Sequence, residues 1–431
     1  VKEKSFYMLK SIFIASLFLV QSLGHTYDIT NAIKATMKNN TNLKEAQINL
    51  ERYKVNLFAA SSSFLPSIGA SSTSQSTMDD LDLSGKGRTD RITIATEIFS
   101  GGEGLFGMRA AALASEAGKV RYKANLNNII IKTVQAYQTV ITARDLYKVA
   151  QQNVDNLNKI VKESEIKLSL GTITRPNLLE AQARLAQALS QKEKNFADMK
   201  DAEGEFEYVT GEKAPVKLDG LEIKNLSLPK NYEDFILTVE EKNPVIIATT
   251  KELKSAQFST KAAKSALLPT VSAQAQLIRQ DSRDFLGRNQ EVSGSTYLLS
   301  VTLPIFQRGQ EYVQIKNALL KEDASFNARR DTLLKVHKEA TGAWNDFFQA
   351  KASLQASSDS VKFYEAFMKG AKEEFNLGTK TLTDLLQAQI DYQNAENQLI
   401  QYKARVILSA LNLKAFLGEI DKIDFSKLVV K

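Results

Sequence analysis

Apolar residues along this chain keep two different periods, arranged in alternating blocks. Over 103–170 and 308–376 they return every three or four residues, as in the stripe Ile130, Val134, Tyr137 and Ile141. That is the period of a helix with one packed face. Over 91–99 the period is two, with Ile92, Ile94, Thr96 and Ile98 set against Thr93, Ala95 and Glu97. The same alternation runs through 270–280, where Val271, Ala273, Ala275 and Leu277 oppose Ser272, Gln274 and Gln276. It runs again through 295–303, where Tyr297, Leu299, Val301 and Leu303 oppose Thr296, Ser300 and Thr302. One apolar and one polar face at period two marks a strand. A Ser/Thr/Gly-rich stretch, 64–77, supplies the fourth strand, and loops 78–90 and 281–291 join the strands in pairs.

The chain is written twice. Asn40, Leu65 and Pro66 recur as Asn243, Leu268 and Pro269, an offset of 203. Phe99, Gly102 and Ala136-Tyr137 recur as Phe306, Gly309 and Ala343-Trp344, an offset of 207. Leu170-Gly171-Thr172 recurs as Leu377-Gly378-Thr379, and Leu178-Leu179 as Leu385-Leu386, still at 207. An ordered set of matches along both halves marks an internal repeat. The repeats are read as 25–211 and 231–418, with 212–230 as a linking segment and 419–431 as a tail.

Proline sets the length of the helices. The seven prolines leave 67–175 and everything after 304 free, and proline inside a helix costs about 3 kcal/mol. Each long helical block therefore spans roughly 100 Å at 1.5 Å per residue. Each meets a Gly-Thr turn and a second helix, 176–211 or 381–417, which makes an antiparallel helical hairpin.

Composition narrows the chemistry. There is no cysteine and only His25 and His337, so disulfides, thiol nucleophiles and lipidation through cysteine are excluded, and a multi-histidine metal site has no donors. No cofactor is expected. Lys2, Lys4 and Lys10 precede the apolar run Ile12 to Val20, followed by Ser22-Leu23-Gly24. That is the pattern of a secretory signal over 1–24; a buried N-terminal helix is the alternative. The net charge of +7 falls to about +5 without that segment, too mild a bias to indicate nucleic acid. Beyond the N-terminus no run reaches the roughly 20 apolar residues of a membrane-spanning helix. Strands of nine to eleven residues suit a tilted membrane strand, but four cannot close and lipid tolerates no open edge. Three chains sharing one barrel would supply 12. The same pattern also allows a small soluble sheet capping a coiled coil.

Taken together, these phrases resemble the TolC family of outer-membrane efflux channels. The resemblance is carried by Asn243-Pro244, Ala266-Leu267-Leu268-Pro269, Leu303-Pro304-Ile305-Phe306 and Phe375-Asn376-Leu377-Gly378-Thr379. The first half repeats them more loosely as Phe64-Leu65-Pro66, Glu97-Ile98-Phe99 and Leu170-Gly171-Thr172. It implies a mainly α fold with a small β part. Long antiparallel α-hairpins would form a trimeric α-barrel tunnel in the periplasm, and four strands per chain would enter a 12-stranded transmembrane β-barrel. The partners implied are two further copies of the chain, outer-membrane lipid, a periplasmic membrane-fusion adaptor, and an inner-membrane pump or ABC exporter. The segment 212–230 and the tail after Gly418 would form a belt around the helices. No enzymatic activity is implied, and the cargo is not specified.

The resemblance also assigns roles at the turns. Gly171 and Gly378 end their helices as left-handed caps. The family reading adds that an adaptor docks beside Leu170, Gly171, Thr172, Leu377, Gly378 and Thr379. The periplasmic gate of the family is closed by a tyrosine and a basic residue bonded to a Thr-Asp pair. The matching positions here are Phe375, Lys380 and Pro176-Asn177, so phenol, hydroxyl and carboxylate are all missing and Lys380 meets no acid at Asn177. One acidic ring position is kept as Asp384 and the next is Gln387. Asp384 reads equally as a first-turn acid that complements the helix dipole.

Other motifs carry less. Gly102 to Gly107 matches GxGxxG, but the dinucleotide fingerprint needs a parallel βαβ unit of about 30 residues, and some 60 helix-favouring residues follow instead. The glycines then serve the passage from strand to helix. His337 reads as a polar helix position and Trp344 as core packing at the site equivalent to Tyr137. Arg88, Arg91, Arg279, Arg283 and Arg288 gather at the strand-loop tips, either solvated or touching anionic headgroups. A soluble periplasmic coiled-coil adaptor or structural rod is the competing reading of the whole chain.

Overall fold

The computed structural model describes residues 27–78, 84–222, 228–229, 231–283 and 288–425. The expected signal segment, the centres of both expected strand loops, residues 223–227 and 230 of the linking segment and the last six residues of the tail lie outside them.

The first repeat contains α1 (Ile29–Asn39), α2 (Thr41–Ser62), β1 (Ser67–Met78), β2 (Ser84–Ser100), α3 (Glu103–Ser169) and α4 (Arg175–Thr210). The second contains α5 (Tyr232–Lys242), α6 (Pro244–Ser265), β3 (Thr270–Arg283), β4 (Asn289–Thr302), α7 (Gln310–Asn376) and α8 (Leu382–Phe416), followed by a 3₁₀ turn, Ile420–Lys422. The helix bounds repeat the sequence offsets. α5 and α6 start and stop 203 residues after α1 and α2, and α7 starts and stops 207 after α3. Both α3 and α7 are 67 residues long.

Matched local signals set these bounds. Asn40 Oδ1 accepts from the Leu43 amide at 3.1 Å, and its counterpart Asn243 accepts from the Val245 amide at 2.9 Å. Each thereby satisfies a donor that the first helical turn leaves open. Pro244 occupies the one part of a helix that tolerates it. At the strand-to-helix junctions Gly101 and Gly102 have φ of 62° and 94°, and the equivalent pair Arg308 and Gly309 has 60° and 78°. The second repeat thus places an arginine where the first uses glycine. A β-carbon on Gly101 would lie 2.7 Å from the Ser265 carbonyl, so that junction has no room for a side chain.

The chain divides into two compact units, each drawing on both repeats. One comprises 27–43, 126–235 and 340–425 of the described residues. Its largest core joins Ile29, Val134, Tyr137, Val140, Phe206, Leu411 and Ile420. The fully buried Tyr137 hydroxyl lies 2.9 Å from the Tyr27 carbonyl and 2.8 Å from that of Asp219, two acceptors for its one proton. Trp344, at the equivalent site, is half-buried and packs against Tyr232, Phe235 and Phe348. Arg144 binds Glu203 and the carbonyls of Pro215 and Val216, fastening the described part of the linking segment to α3.

The second unit comprises 44–125 and 236–339 and holds the sheet. Its order is β1-β2-β3-β4, antiparallel throughout. The strands depart from the sequence expectations 64–77, 91–99, 270–280 and 295–303 at their ends. Phe64 to Pro66 form the turn before β1, and Leu303 follows β4. β2 begins at Ser84 and β4 at Asn289, inside the expected loops. The reason is backbone pairing: Gly87 to Asp90 carry no apolar alternation, yet each faces a residue of β1 and one of β3. Arg88, Arg91 and Arg279 therefore lie in strands, not at loop tips. With every strand of the sheet paired antiparallel, the Gly102 to Gly107 run opens no βαβ unit.

Candidate functional site

The two Gly-Thr turns are twins in atomic detail. In the first, the Gly171 amide donates to the Leu168 carbonyl and the Thr172 amide to that of Lys167, both at 2.9 Å. In the second, Gly378 donates to Phe375 at 3.1 Å and Thr379 to Glu374 at 2.9 Å. Both glycines are left-handed, with φ of 74° and 78°. This is the Schellman cap. The threonines complete it, since the Thr172 and Thr379 hydroxyls donate to the same Lys167 and Glu374 carbonyls at 2.9 Å. Leu170 and Leu377, beside the glycines, are 71 % and 79 % exposed. Each turn thus presents a bare leucine on a rigid backbone.

Behind the turns, both hairpins enter one apolar cluster. Val154, Leu157, Ile160 and Val161 come from α3, Ala181 and Ala188 from α4, Phe375 from α7, and Leu382, Leu385 and Leu386 from α8. Phe375 is buried there, and the Lys167 ammonium lies 3.7 Å from its ring centroid. A cation over an aromatic face contributes about 0.5–1 kcal/mol when exposed and about 2 when desolvated. Two further contacts cross between the hairpins: the Thr383 hydroxyl donates to Glu180 at 2.8 Å, and the Gln389 amide donates to Asn153 Oδ1 at 3.4 Å. Lys380 does find an acid, though not on α4. It pairs with Glu374 at 3.0 Å across its own turn, and its ammonium also stands 4.9 Å from the Phe367 ring centroid. Asn177 bonds the Thr174 hydroxyl within its own helix start.

Asp384 closes a capping box. It accepts from the Thr381 amide at 3.0 Å and hydroxyl at 2.7 Å, while the Thr381 hydroxyl accepts from its amide. The bond from the Thr381 hydroxyl, then that from its amide, holds the Asp384 carboxyl below the usual carboxylate range, with Lys380 adding to the effect. Asp384 and Gln387 are both solvent-exposed, and Gln387 bonds Asp391 at 2.8 Å. Of the residues that the sequence singled out, the structure brings Phe375 into the shared cluster and leaves Lys380, Asp384, Gln387 and Asn177 bonded within their own hairpins. Sequence reasoning missed Lys167, Glu180, Thr383 and Glu374. Only Glu374 had a signal, standing six residues before Lys380 across a predicted turn.

The strand register sorts the sheet into two faces. Ile68 faces Ile94, Ile92 faces Leu277, and Ala275 faces Tyr297. Residues directly opposed across antiparallel strands share a face. Most of the large apolar residues of the four strands therefore fall on the same side. That side is bare, with Ile68, Leu277, Tyr297 and Leu299 all more than half exposed. A bulge between Glu97 and Phe99 shifts the register, so Phe99, opposite Val271, joins the apolar face in place of the expected Ile98. Beyond Ile92 and Leu277 the same face turns charged. Asp90 stands opposite Arg279, Arg88 binds Asp90 at 3.1 Å, and Arg279 binds Glu291 at 2.8 Å. The other face is mainly polar, with Thr93, Gln274, Gln276, Thr296 and Ser300 prominent, and Ile278, Val292 and Leu298 its large apolar members.

No described helix is long and apolar enough to cross a membrane. Among the described residues no cluster of three or more His, Asp or Glu could hold a metal ion. His337 bonds Glu240 from α5 and stays on the surface.

Known proteins resemble this chain in sequence and in fold. The chain is 24 % identical over 409 residues to the outer membrane efflux protein BepC of Brucella suis, spanning 94 % of this chain and 88 % of that one. It is 20 % identical over 335 residues to the outer membrane protein TolC of Escherichia coli, spanning 73 % and 67 %. The crystal structure of the CmeC outer membrane channel of Campylobacter jejuni superposes with a TM-score of 0.78 at 20 % identity, over 93 % of this chain and 88 % of that one. Two stretches, 32–212 and 236–419, match the family described as outer membrane efflux protein, one in each repeat. Matched by that family in both halves, the chain belongs to the outer membrane efflux proteins.

Proposed function

We propose that three copies of the chain close a 12-stranded barrel in the outer membrane and an α-helical tunnel beneath it. The assembly is an exit duct without catalysis of its own. An inner-membrane pump or ABC exporter supplies energy and cargo, and a periplasmic adaptor docks at the turns around Gly171 and Gly378. Residues 1–24 are the export signal, 25–211 and 231–418 the two repeats, and 212–230 with the tail after Gly418 the belt around the helices.

The observation that carries this reading is the register. It gathers Ile68, Ile92, Ile94, Leu277, Tyr297, Leu299 and Val301 onto one bare face and most of the hydroxyl and amide residues onto the other. A barrel with lipid outside and water inside needs that division. The edge strands β1 and β4 lack partners among the described residues, and in lipid an unpaired edge costs several kcal/mol per group. Neighbouring copies remove both edges. A soluble rod would leave this apolar face in water.

The gate in this reading is the pair of hairpin tips. Lys167 on Phe375 and Thr383 on Glu180 tether the second-repeat hairpin to the first, in place of the polar latch of the family. Asp384 forms a ring of carboxylates at the entrance. The test is extraction and conductance. Washing outer membranes with concentrated salt should leave the protein in place, and the detergent-extracted protein should form ion channels in planar bilayers. Release by salt alone, or a folded protein that never conducts, would return the chain to the soluble adaptor class.

A further inference from the structure

The polar face of the sheet is almost free of charge. Among its described residues on all four strands, two are ionised: Arg91 and Glu97, both on β2. Arg91 stands opposite Ser71 and Ile278, and Glu97 opposite Ser272. Both are exposed. They are six positions apart, roughly 20 Å along the strand at about 3.3 Å per residue. β2 runs from the hairpin loop toward α3, so Arg91 lies toward the loop end and Glu97 toward the helices.

We propose that Arg91 and Glu97 are charge-selecting residues of the duct. The proposal rests on the trimeric barrel reading, in which each becomes a ring of three on the water-filled side. A cationic ring then stands at the external end of the barrel and an anionic ring at the periplasmic end, with uncharged residues, mainly hydroxyl and amide groups, between. Fixed charges of opposite sign at two ends of a pore conduct unequally in the two directions. Cations entering past Glu97 and anions entering past Arg91 accumulate between the rings and carry current well. Under opposite voltage both are drawn out and the segment is depleted. The duct thereby favours cations moving outward and resists cations arriving from outside.

The length scales permit this. Screening acts over about 10 Å at 0.1 M salt and about 3 Å at 1 M. The first distance spans a substantial part of a 12-stranded lumen; the second leaves the pore centre screened from the charges on the wall. The effect therefore belongs to low salt.

The test uses the full chain, inserted from one side into planar bilayers in symmetric 0.1 M KCl. Wild-type channels should pass more current when the periplasmic side is positive. R91Q and E97Q should each weaken this asymmetry, the double variant should lose its low-salt component, and R91E/E97R should move it in the opposite direction. In 1 M KCl the wild type and all variants should coincide. Because Asp384 is untouched, a contribution from the tips stays constant through the series. Should the reversed pair fail to assemble, the neutral pair still decides the matter. If R91Q/E97Q channels insert, conduct and keep the wild-type asymmetry at 0.1 M, the proposal is overturned and the duct stands. If the wild type forms no channel, the duct reading itself falls.

Discussion

The ring of Tyr53 on α2 fills the space that a side chain on Gly118 of α3 would need. A β-carbon on Gly118 would lie 2.4 Å from the Tyr53 Cδ2. The repeat-equivalent residues are Ala256 and Ser325, so the second repeat exchanges a large-and-none pair for two small side chains. Gly118→Ala should therefore destabilise by roughly 1–3 kcal/mol through overpacking. Gly204→Ala, in an exposed part of α4 with nothing within 4 Å, should instead stabilise by about 0.5–1 kcal/mol. Thermal unfolding of the detergent-extracted protein checks both, and equal effects would contradict the close approach.

The left-handed glycines divide into two groups by the same reasoning. Gly171 and Gly378 meet nothing within 4 Å, so Ala at either carries only the backbone penalty, about 1–2 kcal/mol. Gly101→Ala adds a collision with the Ser265 carbonyl and should cost more. Arg308→Gly, at the equivalent junction, relieves a left-handed arginine and should leave stability within about 1 kcal/mol of the parent. Unfolding midpoints should fall from Arg308→Gly, through Gly171→Ala and Gly378→Ala, to Gly101→Ala.

The gate tethers predict a pattern of opening. Thr383→Val and Lys167→Gln each remove one cross-hairpin contact of order 0.5–1.5 kcal/mol. Each should raise the open fraction roughly two- to tenfold in single-channel recordings. Thr383→Ser keeps the hydroxyl and Phe375→Tyr keeps the aromatic face, so both should stay near the parent. An open fraction unmoved by either removal would exclude these tethers from gating.

Lys414 and Glu419 pair at the end of α8, 2.7 Å apart, with the lysine side chain buried at 8 % exposed and the glutamate partly buried at 23 %. Removing one partner of a buried pair leaves the other uncompensated, at about 3–5 kcal/mol. Glu419→Gln should be severe. Lys414→Met should be milder, because Glu419 is less buried and keeps Lys422 at 3.4 Å. The hydrogen bond from Lys414, then its charge, depresses the Glu419 carboxyl below its ordinary range. That stabilisation is present above the unfolded carboxylate pKa of about 4.3 and is lost as pH falls through the lower folded value. Unfolding followed from pH 6 down to pH 3 should lose less stability in Glu419→Gln than in the parent.

Much of this was legible because the repeat constrains it twice. Asn40 and Asn243 mark the same helix start, and Gly171 and Gly378 the same helix end, so each signal is read against its copy. Period-two alternation located the apolar core of three strands. It failed over Ser84 to Asp90, where pairing comes from backbone hydrogen bonds and the side chains hold no apolar period. It failed again at Ile98, because a bulge adds a residue without leaving a mark on hydropathy. The tethers were out of reach for another reason. Lys167 and Phe375 are 208 positions apart, and no local pattern says that two hairpins bring them together. Thr172 and Thr379 were visible as a repeated letter, but the bond each makes to the carbonyl five residues back appears only in the folded turn.

The central claim is that four strands per chain become a water-filled barrel through symmetric assembly. One chain cannot close it. Two copies would give eight strands, whose interior side chains fill; three give the smallest count here that leaves a passage. The most direct measurement is the mass of the detergent-extracted particle, corrected for bound detergent. The particle should have three times the mass of the chain as it stands in the membrane. A stable particle of one or two chains, still folded and still in the membrane fraction, would contradict it.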